Sequence, residues 1–295
     1  MKGIIFEPVL SFNNNIMNRL SIRRGFLQQW AVLSMALSFV LFSAFRLSPN
    51  AGIKQTGFTV VIDAGHGGKD PGCIGHGKDV FEKDIALSIA LKIGQMLKDS
   101  VNTKVVYTRS TDKFVELWER AAIANKNSAD VFISIHCNAS NSVTAHGSET
   151  FVMGLHKNEG NLNVSKRENS AILLEEDYEK NEEYAGFDPN SPEAHILFSL
   201  YQNAFRNQSL QLASSVQQNI AKKELRKNLG VKEAGFLVLW KTAMPSILVE
   251  TGFLTNPDDK MFLRSDHGQK QLAHSVMLAV KDYKVQIEKQ NGKKG

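Results

Sequence analysis

Three apolar runs, each followed by a histidine or a glutamate, constrain the fold of this chain more than any other feature. The runs cover residues 58–63, 131–135 and 246–249, and the polar side chains that follow them are His66, His136 and Glu250. Short β-branched runs of this kind are typical of strands that are buried on both faces of a sheet. The chain is therefore expected to build its core around at least three such strands.

Strand and helix patterns alternate along the rest of the chain. Predicted strands cover 58–63, 104–107, 131–135, 147–153, 236–239 and 246–249, and predicted helices cover 81–97, 115–129, 193–227 and 267–288. This alternation predicts an α/β fold, with a single open, mostly parallel twisted sheet and helices on both faces. Residues just past the carboxyl ends of such strands line one crevice, so His66, His136 and Glu250 are expected to converge there.

One segment interrupts the alternation. Residues 159–193 carry ten acidic side chains and three basic ones, and part of this insertion has helical composition. Two interpretations are open: a solvated acidic loop, or a lid over the site, because long insertions in compact domains are often functional.

The first 46 residues are predicted to be an export signal or a signal anchor rather than part of the fold. Arg23 and Arg24 precede an apolar stretch over 30–45, which fits either an ordinary secretory signal or a twin-arginine signal. Residues 47–57 form a predicted linker, and the folded domain is expected over 58–290. The protein is thus predicted to lie in the periplasm or cell envelope, with membrane contact only through its N-terminal segment.

Composition excludes some classes of protein. Apolar residues make up 42% of the chain and support a true core, whereas the net charge of +5 is modest. No interleaving of basic and aromatic residues and no helix-turn-helix pattern indicates nucleic acid binding. The two cysteines, Cys73 and Cys137, are interpreted as structural residues, although a disulfide between them is an open alternative.

The residues that follow the strands suggest a metal hydrolase. His66 lies in a glycine-rich turn, but this turn lacks the ending of a phosphate-binding loop because Lys69 is followed by Asp70. Glu82 opens the first predicted helix, where it is either a helix-dipole residue or a metal ligand at the same edge of the sheet. Two histidines and a carboxylate leave a fourth zinc position open for water. His66, Glu82 and His136 are therefore the candidate ligands of Zn²⁺, and Glu250 is the candidate general base.

Four ordered motifs resemble those of the zinc-dependent N-acetylmuramoyl-L-alanine amidases of the Amidase_3 family. They are VIDAGHGG (61–68), EKDIAL (82–87), SIHCNA (134–139) and ILVETGFLTN (247–256). The resemblance runs over about 58–283 and departs at Cys137, where the family commonly has alanine. It implies that His66, Glu82 and His136 hold zinc, that Glu250 is the essential catalytic glutamate, and that the substrate is the amide between muramic acid and L-alanine in peptidoglycan.

The insertion resembles one found in the Gram-negative cell-division amidases of this family. There an inserted helix occludes the zinc until an activator protein displaces it. The resemblance implies that a glutamate of the insertion takes the open zinc position, with Glu168 as the first choice and Glu175 and Glu176 as alternatives. Two rival functions are a zinc peptidase that cuts within the stem peptide and a non-catalytic peptidoglycan-binding module.

Overall fold

The computed structural model describes residues 57–75, 80–184, 186–189, 191, 193–194, 196, 204–224 and 227–292. The predicted export signal over 1–46 and nearly all of the predicted linker lie outside the described residues. Within the described part of the chain, no helix has both the length and the apolar character needed to cross a membrane.

The centre of the molecule is a six-stranded sheet built from described residues. Its strands are β1 (Thr59–Ala64), β2 (Lys104–Tyr107), β3 (Val131–Asn138), β4 (Ser148–Met153), β5 (Asn228–Ala234) and β6 (Ser246–Phe253). They lie in the order β2-β1-β3-β6-β4-β5. The first four strands in that order are mutually parallel, whereas β4 is antiparallel to β6 and parallel to β5. The predicted open, mostly parallel sheet is thus confirmed.

Helices cover both faces of the sheet. They are α1 (Glu82–Val101), α2 (Leu117–Lys126), α3 (Glu159–Asn169), α4 (Arg206–Glu224), α5 (Leu237–Trp240), α6 (Pro257–Arg264) and α7 (Asp266–Gly292). Successive strand residues point to opposite faces. Val60 and Ile62 accordingly join the core under α1, α4 and α7, and Val61 joins the core under α2 and α5. This double burial explains the apolar runs 60–62 in β1, 131–133 in β3 and 247–249 in β6.

The sequence prediction was wrong near residue 236. The predicted strand over 236–239 is instead the single helical turn α5, and the true strand β5 begins earlier, at Asn228. A four-residue apolar run fits a buried turn of helix as well as a strand. Strand β5 lies at the edge of the sheet, is only partly buried and contains Gly230. Its hydrophobic pattern in the sequence is therefore weak.

The predicted helix over 193–227 was also too long. Residues 204–205 form a turn, and the described helix α4 covers Arg206–Glu224. Several of the residues before that turn lie outside the described part of the chain.

The acidic insertion is docked against the sheet over its described residues. Helix α3 ends at Asn169 and is followed by a 3-10 helix over Ser170–Leu174. Ala171, Ile172 and Tyr184 are buried in the same core as α2 and α5. This apolar burial argues against a freely solvated loop.

Candidate metal centre

His66 lies in the turn that follows β1, and Gly65 lets this turn pass close to His136. The amide of Gly65 donates to the carbonyl of Ile135 at 3.0 Å. A Cβ atom at Gly65 would collide with the ring of His136, so only glycine lets the two histidines approach closely. His66 itself has φ of 59°, a left-handed conformation that is uncommon for a residue with a side chain.

Glu82 is the first residue of α1, and its side chain is fully buried. Its Oε2 accepts the backbone amide of Cys73 at 2.8 Å, and its Oε1 accepts the amide of Cys137 at 2.8 Å. The carboxylate is therefore fixed by two neighbouring segments and points into the crevice. Its hydrogen bonds go to these two segments, and its side chain lies with the two histidines.

His136 lies near the carboxyl end of β3. It is in register with Glu250 on the neighbouring strand β6, so the two side chains are placed side by side by the sheet itself. His66 and His136 face each other edge to face, with 4.9 Å between ring centroids. The three strand ends thus converge as expected.

Four side chains meet in one buried cluster that could hold a metal ion: His66, Glu82, His136 and Glu168. His66 Nε2 lies 3.1 Å from Glu82 Oε1 and 3.1 Å from Glu168 Oε2. His136 Nδ1 lies 3.1 Å from Glu82 Oε1 and 3.0 Å from Glu168 Oε2. Bond lengths to zinc of about 2.0–2.2 Å imply tetrahedral ligand separations of about 3.3 Å, which is close to these values.

The chemistry of these atoms also fits a metal. His66 Nε2 and Glu168 Oε2 are buried close to other polar atoms, yet among the described residues neither makes a hydrogen bond, a costly condition for polar atoms. Asp70 Oδ2 lies 2.8 Å from His66 Nδ1. A carboxylate on the far ring nitrogen is the usual outer partner of a metal-binding histidine.

The local electrostatics favour a cation between the carboxylates. Burial lowers the pKa of His136, but Glu168 and Glu82 outweigh burial and raise it to about 9. Burial also lowers the pKa of His66, but the nearby carboxylates, chiefly Glu82, outweigh burial and raise this pKa well above its usual value. Without a metal, the two carboxylates thus draw protons onto the imidazoles.

Glu250 borders the cluster and is fully buried. Its Oε1 lies 3.4 Å from Arg167 Nη2, and its Oε2 is buried without a hydrogen-bond partner among the described residues. Burial, together with the charge of Glu168, raises the pKa of Glu250 well above its usual value, although Arg167 partly opposes this. A carboxyl group in such a position is suited to hold a proton.

Helix α3 brings Arg167 and Glu168 into the site together. Glu168 enters the four-residue cluster, whereas Arg167 pairs with Glu250 and donates to Ala139 O at 3.1 Å. The two alternatives to Glu168 lie elsewhere. Glu175 accepts the amide of Leu117 at 2.7 Å and the hydroxyl of Tyr184 at 2.5 Å, and Glu176 is exposed.

Sequence reasoning missed two polar residues of this site, Asp70 and Arg167. Asp70 lies in the same turn as His66, four residues along, which was the only available signal. Arg167 directly precedes Glu168, and nothing in its sequence context marks it. Both cysteines are free thiols, with Cys73 Sγ donating to the carbonyl of Cys137 at 3.1 Å.

Comparisons with known proteins agree with this geometry. The model of the family described as N-acetylmuramoyl-L-alanine amidase, Amidase_3, matches residues 60–282. An N-acetylmuramoyl-L-alanine amidase AmiC of Escherichia coli is 32% identical, with 76% of this chain and 52% of that protein covered. This chain therefore spans about half the length of that relative.

Two further relatives are covered almost completely. A putative N-acetylmuramoyl-L-alanine amidase of Buchnera aphidicola is 32% identical, with 76% of this chain and 95% of that protein covered. The crystal structure of an N-acetylmuramoyl-L-alanine amidase from Clostridium difficile 630 superposes with a TM-score of 0.58 at 30% identity. That superposition covers 78% of this chain and 97% of the other.

Proposed function

The chain belongs to the Amidase_3 family of N-acetylmuramoyl-L-alanine amidases, and we propose that it hydrolyses the amide between N-acetylmuramic acid and L-alanine in peptidoglycan with the help of Zn²⁺. The observation that carries this proposal is the buried cluster of His66, Glu82 and His136 beside Glu250. A non-catalytic binding module would have no need to bury these groups together at such cost.

Three residues would hold the metal and a fourth would move protons. His66 Nε2, Glu82 Oε1 and His136 Nδ1 are the proposed ligands, and a zinc ion there would supply Lewis-acid activation of water and of the amide carbonyl. Glu250 takes a proton as water adds its oxygen to the carbonyl carbon. It then returns a proton to the nitrogen as the carbon–nitrogen bond breaks, which leaves a carboxylic acid and the free amine of L-alanine.

Helix α3 is proposed to hold the enzyme in an inactive state. Glu168 occupies the place where water would enter the cluster, and Arg167 neutralises the proposed base Glu250. Substrate and water can reach both groups only when α3 moves away. An activator protein that displaces the insertion is the proposed partner, and its binding would switch on hydrolysis.

The surface beside α3 offers a route for a polymer. A groove of about 680 Å³ is bordered by Asn138, Arg167, Lys232 and Thr255, and Arg167 separates it from Glu250. Helix α3 itself forms one wall of this groove, so its displacement would widen the groove and open it onto the metal centre. We propose that peptidoglycan lies along it.

The biological setting is proposed from the family and the N-terminal sequence. An exported amidase in the periplasm or cell envelope would remodel the cell wall and help daughter cells to separate. Cells that lack the protein are then expected to grow as chains, and cells that carry the Glu250→Gln variant should show the same defect.

Product analysis tests the reaction itself. The purified protein, with its metal content measured, is incubated with sacculi, and the released fragments are identified by mass spectrometry. An amidase releases stem peptides that begin with free L-alanine. Fragments cut inside the stem peptide would instead support the zinc peptidase, and the absence of any zinc-dependent release from the deregulated Glu168→Ala variant would contradict the proposal.

A further inference from the structure

Arg109 is a fully buried cation close to the metal centre that the reaction does not use. It follows β2 and is 1% exposed. Four of its hydrogen bonds go to backbone carbonyl oxygens, which belong to Ala64, Gly65, Lys83 and Thr111. Burial of a guanidinium is expensive, so an arginine held mainly by carbonyls calls for an explanation.

The acceptors of Arg109 flank two of the proposed metal ligands. Its Nη2 donates to Gly65 O at 2.7 Å and to Lys83 O at 2.8 Å. Gly65 directly precedes His66, and Lys83 directly follows Glu82. One nitrogen atom therefore ties the turn that carries the first ligand to the start of the helix that carries the second.

The turn packs closely against this side chain and against the backbone at Lys113. Gly67 has φ of 125°, and a Cβ atom there would collide with Lys113 O and would lie 2.8 Å from Arg109 Nε and 2.9 Å from Arg109 Cδ. Arg120 contacts the same turn, because its Nη2 donates to His66 O at 3.0 Å. The carbonyl groups of Gly65 and His66 are thus each held by a buried arginine, Gly65 O by Arg109 and His66 O by Arg120.

A second tie joins the same two segments at the surface. Lys83 Nζ donates to Gly68 O at 2.9 Å and to Asp112 Oδ2 at 2.7 Å. Asp112 Oδ1 in turn accepts the amide of Gly68 at 2.7 Å. The buried contacts of Arg109 (the inner tie) and the contacts of Lys83 with Gly68 and Asp112 (the outer tie) therefore join the same two elements.

We propose that Arg109 is a positioning residue that sets the separation of His66 and Glu82. With the help of the outer tie, it holds these two ligands in the geometry for metal binding before the metal is present. The inference rests on the proposed zinc chemistry but concerns metal affinity rather than turnover. The planar fork of arginine reaches Ala64, Gly65 and Lys83 at once, which the ammonium group of lysine cannot reproduce.

The test compares zinc affinity in the full chain by competition with a chelator. For Arg109→Lys, we expect a rise in Kd of roughly 10- to 100-fold, as is usual when a residue that orients metal ligands is lost. The visible spectrum of bound Co²⁺ should also change, because it reports ligand geometry. Arg206→Lys is the matched control, since Arg206 makes paired contacts with Glu233 at the far edge of the sheet, and its Kd should stay unchanged.

A merely structural role would lower the stability of the metal-free protein while leaving zinc affinity and the Co²⁺ spectrum unchanged, and that result overturns the proposal. If Arg109→Lys fails to fold, the zinc Kd of Lys83→Met provides the test. Lys83 lies near the surface, so its replacement is expected to leave the fold intact. Loss of this outer tie is expected to raise the Kd about two- to fivefold, and an unchanged Kd overturns the proposal. A wild-type protein that binds no zinc contradicts both this inference and the proposed function, whereas wild-type zinc binding with unaffected variants contradicts this inference alone.

Discussion

At the scale of single residues, most of the buried polar groups of the site have hydrogen-bond partners that offset the cost of their burial. Glu82 is held by two backbone amides, His66 by Asp70, and the turn between them by Arg109. Glu250 differs, because Arg167 is its only charged partner within 4 Å among the described residues. A group with so few fixed partners is free to exchange protons.

Replacement of Glu250 by glutamine should abolish proton transfer and leave the metal ligands in place. We expect turnover to fall roughly 100- to 10,000-fold, the usual contribution of a general acid–base residue, while the zinc content stays the same. Release of labelled fragments from sacculi and metal analysis measure the two effects. Both measurements are best made in a Glu168→Ala background, with Glu176→Gln as an exposed control. Retained turnover would exclude Glu250 as the base.

Asp63 should govern the stability of the turn that carries His66. It is fully buried and accepts from Arg120 at 2.9 Å and from Thr108 and Ser134 at 2.6 Å each. Asp63→Asn leaves Arg120 buried without its charge partner, so we expect a loss of about 3–5 kcal/mol in the free energy of unfolding, measured with urea. The exposed control Asp266→Asn should cost less than about 1 kcal/mol.

The same ion pair gives a pH dependence. Burial raises the pKa of Asp63, but Arg120 and the two hydroxyl groups outweigh it, so the pKa in the folded state is lowered. The stabilisation is therefore fully present above the ordinary aspartate pKa of about 3.9 and is lost as the pH falls through the lower folded value. The difference between wild type and Asp63→Asn should shrink in that acidic range, and a constant difference would contradict this origin.

At the scale of elements, α3 is the part of the structure that is proposed to control access to the site. Its last residue, Asn169, donates to Gly235 O at 2.8 Å and accepts the amide of Leu237 at 2.8 Å. These two contacts pin the end of the helix to the segment that leads into α5. The helix is otherwise highly polar, so few apolar contacts oppose its release.

Loss of this anchor should activate the enzyme. Two buried hydrogen bonds contribute on the order of 1–3 kcal/mol, and 1.4 kcal/mol corresponds to a tenfold shift of an equilibrium. We therefore expect Asn169→Ala to raise activity without an activator by about five- to 100-fold, and Glu168→Ala to do the same. The exposed Asn163 on the same helix supplies the control Asn163→Ala. Unchanged activity in both variants and after deletion of 166–188 would contradict the lid.

At the scale of the whole molecule, the proposed ligands come from three separate parts of the sheet and its helices. The turn after β1, the start of α1 and the end of β3 meet only in the folded protein. A metal bound there stabilises the folded state and not the unfolded chain, by about 4 kcal/mol at a concentration 1,000 times the Kd.

Removal of zinc should therefore lower the melting temperature. With about 2–4 °C for each kcal/mol in a domain of this size, we expect a fall of roughly 8–16 °C on chelation. Differential scanning calorimetry measures it, and added Zn²⁺ but not Mg²⁺ should restore the original value. A melting temperature that is indifferent to chelation would show that the cluster binds no metal tightly.

The central strands of the sheet and the location of the candidate site could be predicted from the sequence alone. The apolar runs of β1, β3 and β6 are buried on both faces, and their hydrophobicity is visible without any tertiary information. His66, His136 and Glu250 could be predicted because each of them follows one of these apolar runs. Strand β5 and helix α5 did not follow, because an edge strand is half exposed and a four-residue apolar run carries no clear period.

Tertiary structure alone decided which partners surround each site residue. Asp70 was near His66 in sequence, but Arg109, Arg120 and Arg167 make contacts in the site with partners that lie 26 to 83 residues away. Such contacts depend on how whole helices and strands pack together, and this packing leaves no pattern in the local sequence. The choice of Glu168 over Glu175 and Glu176 has the same cause, because only the docking of α3 determines which glutamate faces the histidines.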